Sequence, residues 1–164
     1  MNKEHCTIFI KESIIHLSFD KWIFFDEKLL GREDDHPSVI FTNGCKVWFK
    51  DGYRHRENAP AMTNPKGALI ETWWYEGLIH REDGPSQTYR DGTEMWYKLN
   101  KLHNTNGPAV ARKEFREWWL YDVQKTFKEW FLETDKTKND LAIYLIDTSQ
   151  AIREQAEEIG KDIL

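Results

Sequence analysis

Four prolines set the terms on which this chain can fold. Pro37, Pro60, Pro85 and Pro108 stand 23, 25 and 23 residues apart. Three of them close near-copies of one string: Tyr53-Arg54-His55-Arg56-Glu57-Asn58-Ala59-Pro60, Ile79-His80-Arg81-Glu82-Asp83-Gly84-Pro85 and Leu102-His103-Asn104-Thr105-Asn106-Gly107-Pro108. Leu30-Gly31-Arg32-Glu33-Asp34-Asp35-His36-Pro37 is a degraded first copy. A period of this size means that one supersecondary unit is used several times.

Between the strings lie aromatic clusters: Ile23-Phe24-Phe25, Val47-Trp48-Phe49, Trp73-Trp74-Tyr75, Met95-Trp96-Tyr97 and Trp118-Trp119-Leu120. Short β-branched and aromatic runs bounded by turn residues read as strands. Asp51-Gly52 and Glu76-Gly77 follow two of the clusters, where a tight hairpin wants positive φ. Asp83-Gly84-Pro85 and Asn106-Gly107-Pro108 reverse the chain toward the next unit. Further turn signals are Asn43-Gly44, Pro65-Lys66-Gly67 and Asp91-Gly92. The expected architecture is mainly β, with stacked β-hairpin repeats in a single antiparallel sheet.

Side chains alternate across a strand. With Trp48, Trp74 and Trp96 taken as equivalent, Lys46, Lys50, Thr72, Glu76, Glu94 and Lys98 share their face. Val47, Phe49, Trp73, Tyr75, Met95 and Tyr97 form the other, continuously apolar face. In the last unit Trp118 and Trp119 put an indole on each side.

The flanks differ from the repeats. Residues 1–20, with Thr7-Ile8-Phe9-Ile10 and Ile14-Ile15-His16-Leu17-Ser18-Phe19, read as capping strands, since terminal units of arrays need their own outer face. Residues 21–134 hold the repeats, four clear and a fifth partial. Over 135–164, Leu141, Leu145, Thr148, Ile152, Ala156, Ile159 and Ile163 recur at steps of three and four, which predicts an amphipathic helix. Thr137 or Asn139 would cap it, and Asp140 and Lys161 suit its dipole. About 25 residues make a helix of about 37 Å, and four hairpins a sheet about 38 Å wide. The helix is therefore expected to lie across the apolar face and cover it. The alternative is that its stripe over 141–163 pairs with a second copy of the chain.

The repeats resemble the MORN-like family, whose units carry a Trp-Tyr core, a glycine turn and a His-Arg-x-(Asp/Asn)-Gly-Pro-(Ala/Ser) signature. The resemblance covers residues 22 to 121. It is strongest from Trp74 to Ser86 and good from Trp48 to Ala61 and from Trp96 to Ala109. It departs where Gly31 replaces His, where an extra residue separates Arg32 from Pro37, and where Asn104-Thr105 replaces Arg-Glu. Similar proteins occur in phages, large DNA viruses and bacteria. The family implies scaffolding and protein binding with no common enzymatic activity, and a phage-encoded inhibitor of a host enzyme or defence factor is one version of it.

Composition narrows the function classes. A net charge of −5 with no basic run disfavours nucleic acid and anionic membranes, both of which bind through Lys and Arg. Charged residues at 31% and a mean hydropathy of −0.74 exclude a membrane-spanning stretch. Cys6 and Cys45 have no metal-ligand spacing and fit reduced thiols in a cytoplasmic protein. No signal-peptide core is present at the start.

His55, His80 and His103 recur at one repeat position, but equivalent residues two strands apart lie about 9.6 Å from one another. Zinc holds its nitrogen ligands at about 2.0–2.1 Å, so this ladder cannot share an ion. No metal or other cofactor is expected. His55, Arg56, His80, Arg81 and His103 are read as staples between repeats. Trp48, Trp74, Trp96 and Trp118, fenced by Lys50, Glu76 and Lys98, form the candidate face for a protein partner, because aromatic residues dominate interface hot spots. No nucleophile stands with a base and an orienting group, so no catalytic residue is assigned. The expected function is a non-enzymatic protein-binding module. The alternative is a structural homo-oligomer assembled through the helix.

Overall fold

The computed structural model describes residues 5–10, 13–18, 35–113, 115–146 and 150–163. The first aromatic cluster (Ile23-Phe24-Phe25) and most of the degraded first signature, with Arg32 and Glu33, lie outside them. The chain opens with β1 (His5–Ile10) and β2 (Ser13–Ser18), followed by β3 (Val39–Phe41) and β4 (Lys46–Val47). A short ribbon, β5 (Phe49–Lys50) and β6 (Tyr53–Arg54), comes next. The pattern then repeats as β7 (Met62–Thr63), β8 (Leu69–Thr72), β9 (Trp74–Tyr75), β10 (Leu78–Ile79), and again as β11 (Gln87–Tyr89), β12 (Glu94–Met95), β13 (Tyr97–Lys98), β14 (Lys101–Leu102). It ends with β15 (Val110–Arg112), β16 (Phe115–Leu120) and β17 (Val123–Lys125).

The expected mainly β, antiparallel architecture holds. Strands run β17-β16-β15-β12-β11-β8-β7-β4-β3-β1-β2 across one sheet, with β1 and β2 at its amino-terminal end. Each unit carries two hairpins rather than one. Asn43-Gly44, Pro65-Lys66-Gly67 and Asp91-Gly92 lie in the turns of the main-sheet hairpins, and a second hairpin projects as a separate ribbon (β5–β6, β9–β10, β13–β14). Only the tryptophans at 48, 73 and 96 separate sheet from ribbon. There the strand changes partner. The N–H groups of Trp48, Trp73 and Trp96 donate to the carbonyls of Ala61, Ser86 and Ala109 in the next unit, each at 2.8 Å. Their own carbonyls accept from His55, His80 and His103 at 3.0–3.2 Å, closing the ribbon. In the last unit β16 runs unbroken through Trp118, pairing first with β15 and then with β17.

Ribbon turns need positive φ at both central residues. Asp51-Gly52, Glu76-Gly77, Leu99-Asn100 and Tyr121-Asp122 all have it. Where glycine gives way to Asn100 and Asp122, the side chain adds a bond: Ile79 N–H donates to Asn100 Oδ1 at 2.6 Å and Leu102 N–H to Asp122 Oδ1 at 2.8 Å. Successive ribbons are thereby tied shoulder to shoulder.

The register corrects the face assignment of the second unit. Val47, Met62, Thr72, Gln87, Met95 and Val110 lie opposite one another in one row, and Lys46, Thr63, Glu71, Thr88, Glu94 and Ala111 in the adjacent row. Thr72 is 1% exposed and shares the inner row with Val47 and Val110. The residue equivalent to Trp48 and Trp96 is thus Trp73, not Trp74. A slip of one residue turns every side chain of a strand over.

The single helix expected over 135–164 is also corrected. Helices α1 (Phe127–Glu133), α2 (Lys138–Ile146) and α3 (Gln150–Ile163) occupy this end. On one straight helix Leu141 and Ile159 would lie about 27 Å apart, yet both join one buried cluster with Trp118, Phe127, Trp130, Phe131 and Ala156. A Cβ on Gly160 would meet Leu141 at 3.7 Å, so α2 and α3 double back on each other. The buried helical residues meet Trp118, so the cover sits on the last unit instead of spanning the sheet. Thr137 does precede α2, its N–H and hydroxyl both donating to Asp140 Oδ2 at 2.7 Å. α1 begins at a capping box formed by Thr126 and Glu129. Thr126 follows Trp118 by eight residues, as Arg56 follows Trp48. The helix starts where another signature would.

Candidate interaction surface

The signature strings with arginine each build a small stack on their own tryptophan. The Arg56 guanidinium lies 4.0 Å from the Trp48 ring centroid and that of Arg81 3.8 Å from Trp73, close enough for a cation–π attraction. Arg56 Nη1 donates to the Pro60 carbonyl at 3.4 Å and Arg81 Nη1 to that of Pro85 at 3.3 Å. Asn104, in the same position, does so with Nδ2 to Pro108 at 3.0 Å. The second signature residue therefore closes its own proline turn.

The residue before proline is Ala59 in the first string and Gly84 in the second, so the stack tolerates a methyl there. A Cβ on Gly84 would stand 2.7 Å from Cζ at the far end of Arg81, and one on Gly107 3.6 Å from Asn104. Gly84→Ala is expected to turn the guanidinium slightly and, like Gly107→Ala, to stay within about 0.5 kcal/mol of the wild type. Urea denaturation of both variants checks this. A loss above about 1 kcal/mol in Gly84→Ala would mean that Arg81 cannot shift as Arg56 does.

The histidines face the ribbons. His55 Nδ1 accepts from the Glu76 N–H of the next ribbon turn at 3.1 Å, joining two units. His80 Nε2 is 3.1 Å from Glu82, and the His103 ring stacks on Tyr121 with centroids 4.0 Å apart. Burial holds the His103 pKa below the usual histidine value, helped by the Lys98 charge and opposed by Glu82. The neutral ring is thus favoured in the fold. Its stabilising contribution is full above the unfolded value of about 6.5 and is lost as pH falls through the lower folded value. The urea midpoint should drop on acidification through this window, and drop less in His103→Gln.

Among the described residues, no group of three or more His, Cys, Asp or Glu is placed to hold a metal ion. Burial pushes the Cys45 thiol pKa up, which disfavours a reactive thiolate there.

The tryptophan face needs correcting as a contact surface. Trp48 is 8% exposed and Trp118 is 6% exposed, while Trp74 and Trp96 are half-buried. Arg56 seals the first, the helical cluster seals Trp118, and Arg54 lies 4.9 Å over Trp74. Lys50 pairs with Glu57 at 3.3 Å and Lys98 with Glu82 at 3.8 Å, while Glu76 occupies a ribbon turn. Such exposed pairs stabilise little.

Among their charged side chains the ribbons expose apolar ones. Tyr53 stands out on the first, Tyr75 and Leu78 on the second, Leu99 on the third, and Tyr121 and Val123 on the β16–β17 hairpin, all between 37% and 60% exposed. A groove of about 660 Å³ opens beside Tyr75 and Leu99, walled by Arg56, Asn58, Trp73 and Arg81. The Trp-to-His spacing of seven residues (48 to 55, 73 to 80, 96 to 103) was the signal that would have set the register and pointed away from Trp74.

No family model, curated protein or solved structure matches this chain. Its surface must therefore be read from its own geometry.

Proposed function

We propose that the chain is a non-enzymatic, MORN-like protein-binding module that meets its partner through the ribbon layer. The observation that carries this reading is the recurrence of exposed Tyr, Leu and Val side chains on the three ribbons and on the β16–β17 hairpin that follows them. Exposed apolar side chains gathered on one layer mark interaction sites, and Tyr adds area at small entropy cost. Among the described residues no helix is long and apolar enough to cross a membrane. A cytoplasmic location fits the buried Cys45 thiol, and the resemblance to phage proteins makes a host enzyme or defence factor the partner class.

The test is capture of a partner identified by mass, using the wild type and a Tyr53→Ser, Val123→Ser pair. Loss of the partner in the pair is expected, and equal recovery overturns the ribbon reading. One observation favours a second reading, assembly through the helices: Leu132 and Ile143 are 56% and 67% exposed. The stripe over 141–163 that was the alternative assembly seam is used within the chain, since Leu141, Ala156 and Ile159 are buried. Light scattering on a Leu132→Ser, Ile143→Ser pair separates the readings, because only the second predicts a smaller particle.

A further inference from the structure

The signature turns differ at two coupled positions. Two residues before each proline stand Asp35, Asn58, Asp83 and Asn106, and four before the last three stand Arg56, Arg81 and Asn104. At the first joint Arg56 reaches back to Asp35, with Nε at 2.7 Å from one carboxylate oxygen and Nη2 at 2.9 Å from the other. Trp48 Nε1 donates to the Asp35 carbonyl at 3.0 Å. One residue thus satisfies both members of the Trp–Arg stack.

The second joint lacks both contacts. Asn58 holds the place of Asp35 with the same left-handed backbone, φ 56° against 52°, but brings no charge. Arg81 turns Nε to Asp83 of its own turn, a single 2.9 Å contact to a carboxylate whose side chain is 82% exposed. Among the described residues Arg81 Nη2 and the buried Trp73 Nε1 have no acceptor. The groove opens at this unlocked joint.

We propose that the second joint is a receptor for an aspartate of a partner protein, its carboxylate taking Arg81 Nε and Nη2 as Asp35 takes those of Arg56. A two-point guanidinium–carboxylate pair is stronger than the one-point contact it displaces at Asp83. The other carboxylates of the groove are already matched, Glu57 by Lys50 and Glu82 by Lys98. The inference rests on the ribbon reading and deepens it, because Tyr75 and Leu99 line the same groove and would meet apolar neighbours of that aspartate.

The probe is a capped peptide with the sequence of residues 33–39, Glu-Asp-Asp-His-Pro-Ser-Val, titrated into the full chain and followed by NMR. Saturable shifts of the Trp73 indole and Arg81 signals are expected. Affinity should fall about tenfold or more, the worth of a charge-assisted pair, when the peptide carries Asp35→Asn or the protein carries Arg81→Gln. Asn58→Asp should fill the site from within, raising the denaturation midpoint and abolishing peptide binding. The Tyr53→Ser, Val123→Ser pair should bind the peptide fully, because neither residue lines the groove, so a failed ribbon reading shows in partner capture and a failed receptor in the peptide titration. Peptide binding undiminished in Arg81→Gln, or an Asn58→Asp variant that is no more stable and still binds, overturns the proposal.

Discussion

Trp130→Ala is expected to destabilise the chain by about 3–5 kcal/mol, as large aromatic truncations in cores do. Trp130 is 0% exposed, with its ring centroid 4.4 Å from that of Trp118 and 6.0 Å from that of Tyr144. Its Nε1 donates to the Asn104 carbonyl at 2.7 Å, tying the helix to a repeat 26 residues away. The substitution leaves a cavity and strands a half-buried acceptor. Since domains are stable by about 5–15 kcal/mol, a fifth or more of the total is at stake. Urea denaturation followed by fluorescence and circular dichroism reads the loss. Trp130→Phe, which keeps most of the ring and drops the N–H, should cost less, with about 1–3 kcal/mol for the stranded acceptor. A loss under about 1 kcal/mol for the alanine variant, typical of an uncritical site, would mean the helices are not seated through this residue.

Ser86→Ala is expected to cost about 1–3 kcal/mol, the range for stranding a buried polar group. Ser86 is 0% exposed, and its hydroxyl accepts from Tyr97 N–H and donates to Tyr97 O, both at 3.0 Å. Ser38 does the same for Phe49 N–H at 3.2 Å. These bonds fall where the strand changes partner and the sheet ladder is interrupted. Removing the hydroxyl leaves Tyr97 N–H without this acceptor, while its carbonyl still takes the Arg81 N–H at 3.4 Å. The equivalent Ala61 and Ala109 are also 0% exposed, so a methyl fits and the loss is that of the hydroxyl alone. A neutral Ser86→Ala in denaturation would disprove this account of the junction.

The helical end shows why some features were legible and others were not. The stripe of Leu141, Ala156 and Ile159 reads as helical from spacing alone, and helical it is. Periodicity cannot distinguish one helix from two that double back, because both bury the same stripe. α1 is too short for periodicity to reveal, although Thr126 and Glu129 have capping-box spacing. The adjacent indoles of Trp73 and Trp74 hid the register of the second unit, since either satisfies an alternating pattern. The exposure of the tryptophan face is not legible in the sequence, because it depends on which cation or ring covers each indole.

Turn positions, strand placement and the repeat itself were determined by residue order alone, because positive φ, a fixed proline ring and strand alternation are settled within a few neighbouring residues. Tertiary structure decided which indoles are sealed, that Arg56 bonds a carboxylate 21 residues away while Arg81 bonds one two residues away, and that the helices close the last unit. Those outcomes depend on burial and on charges brought together across units, and neither is defined until the units stand side by side.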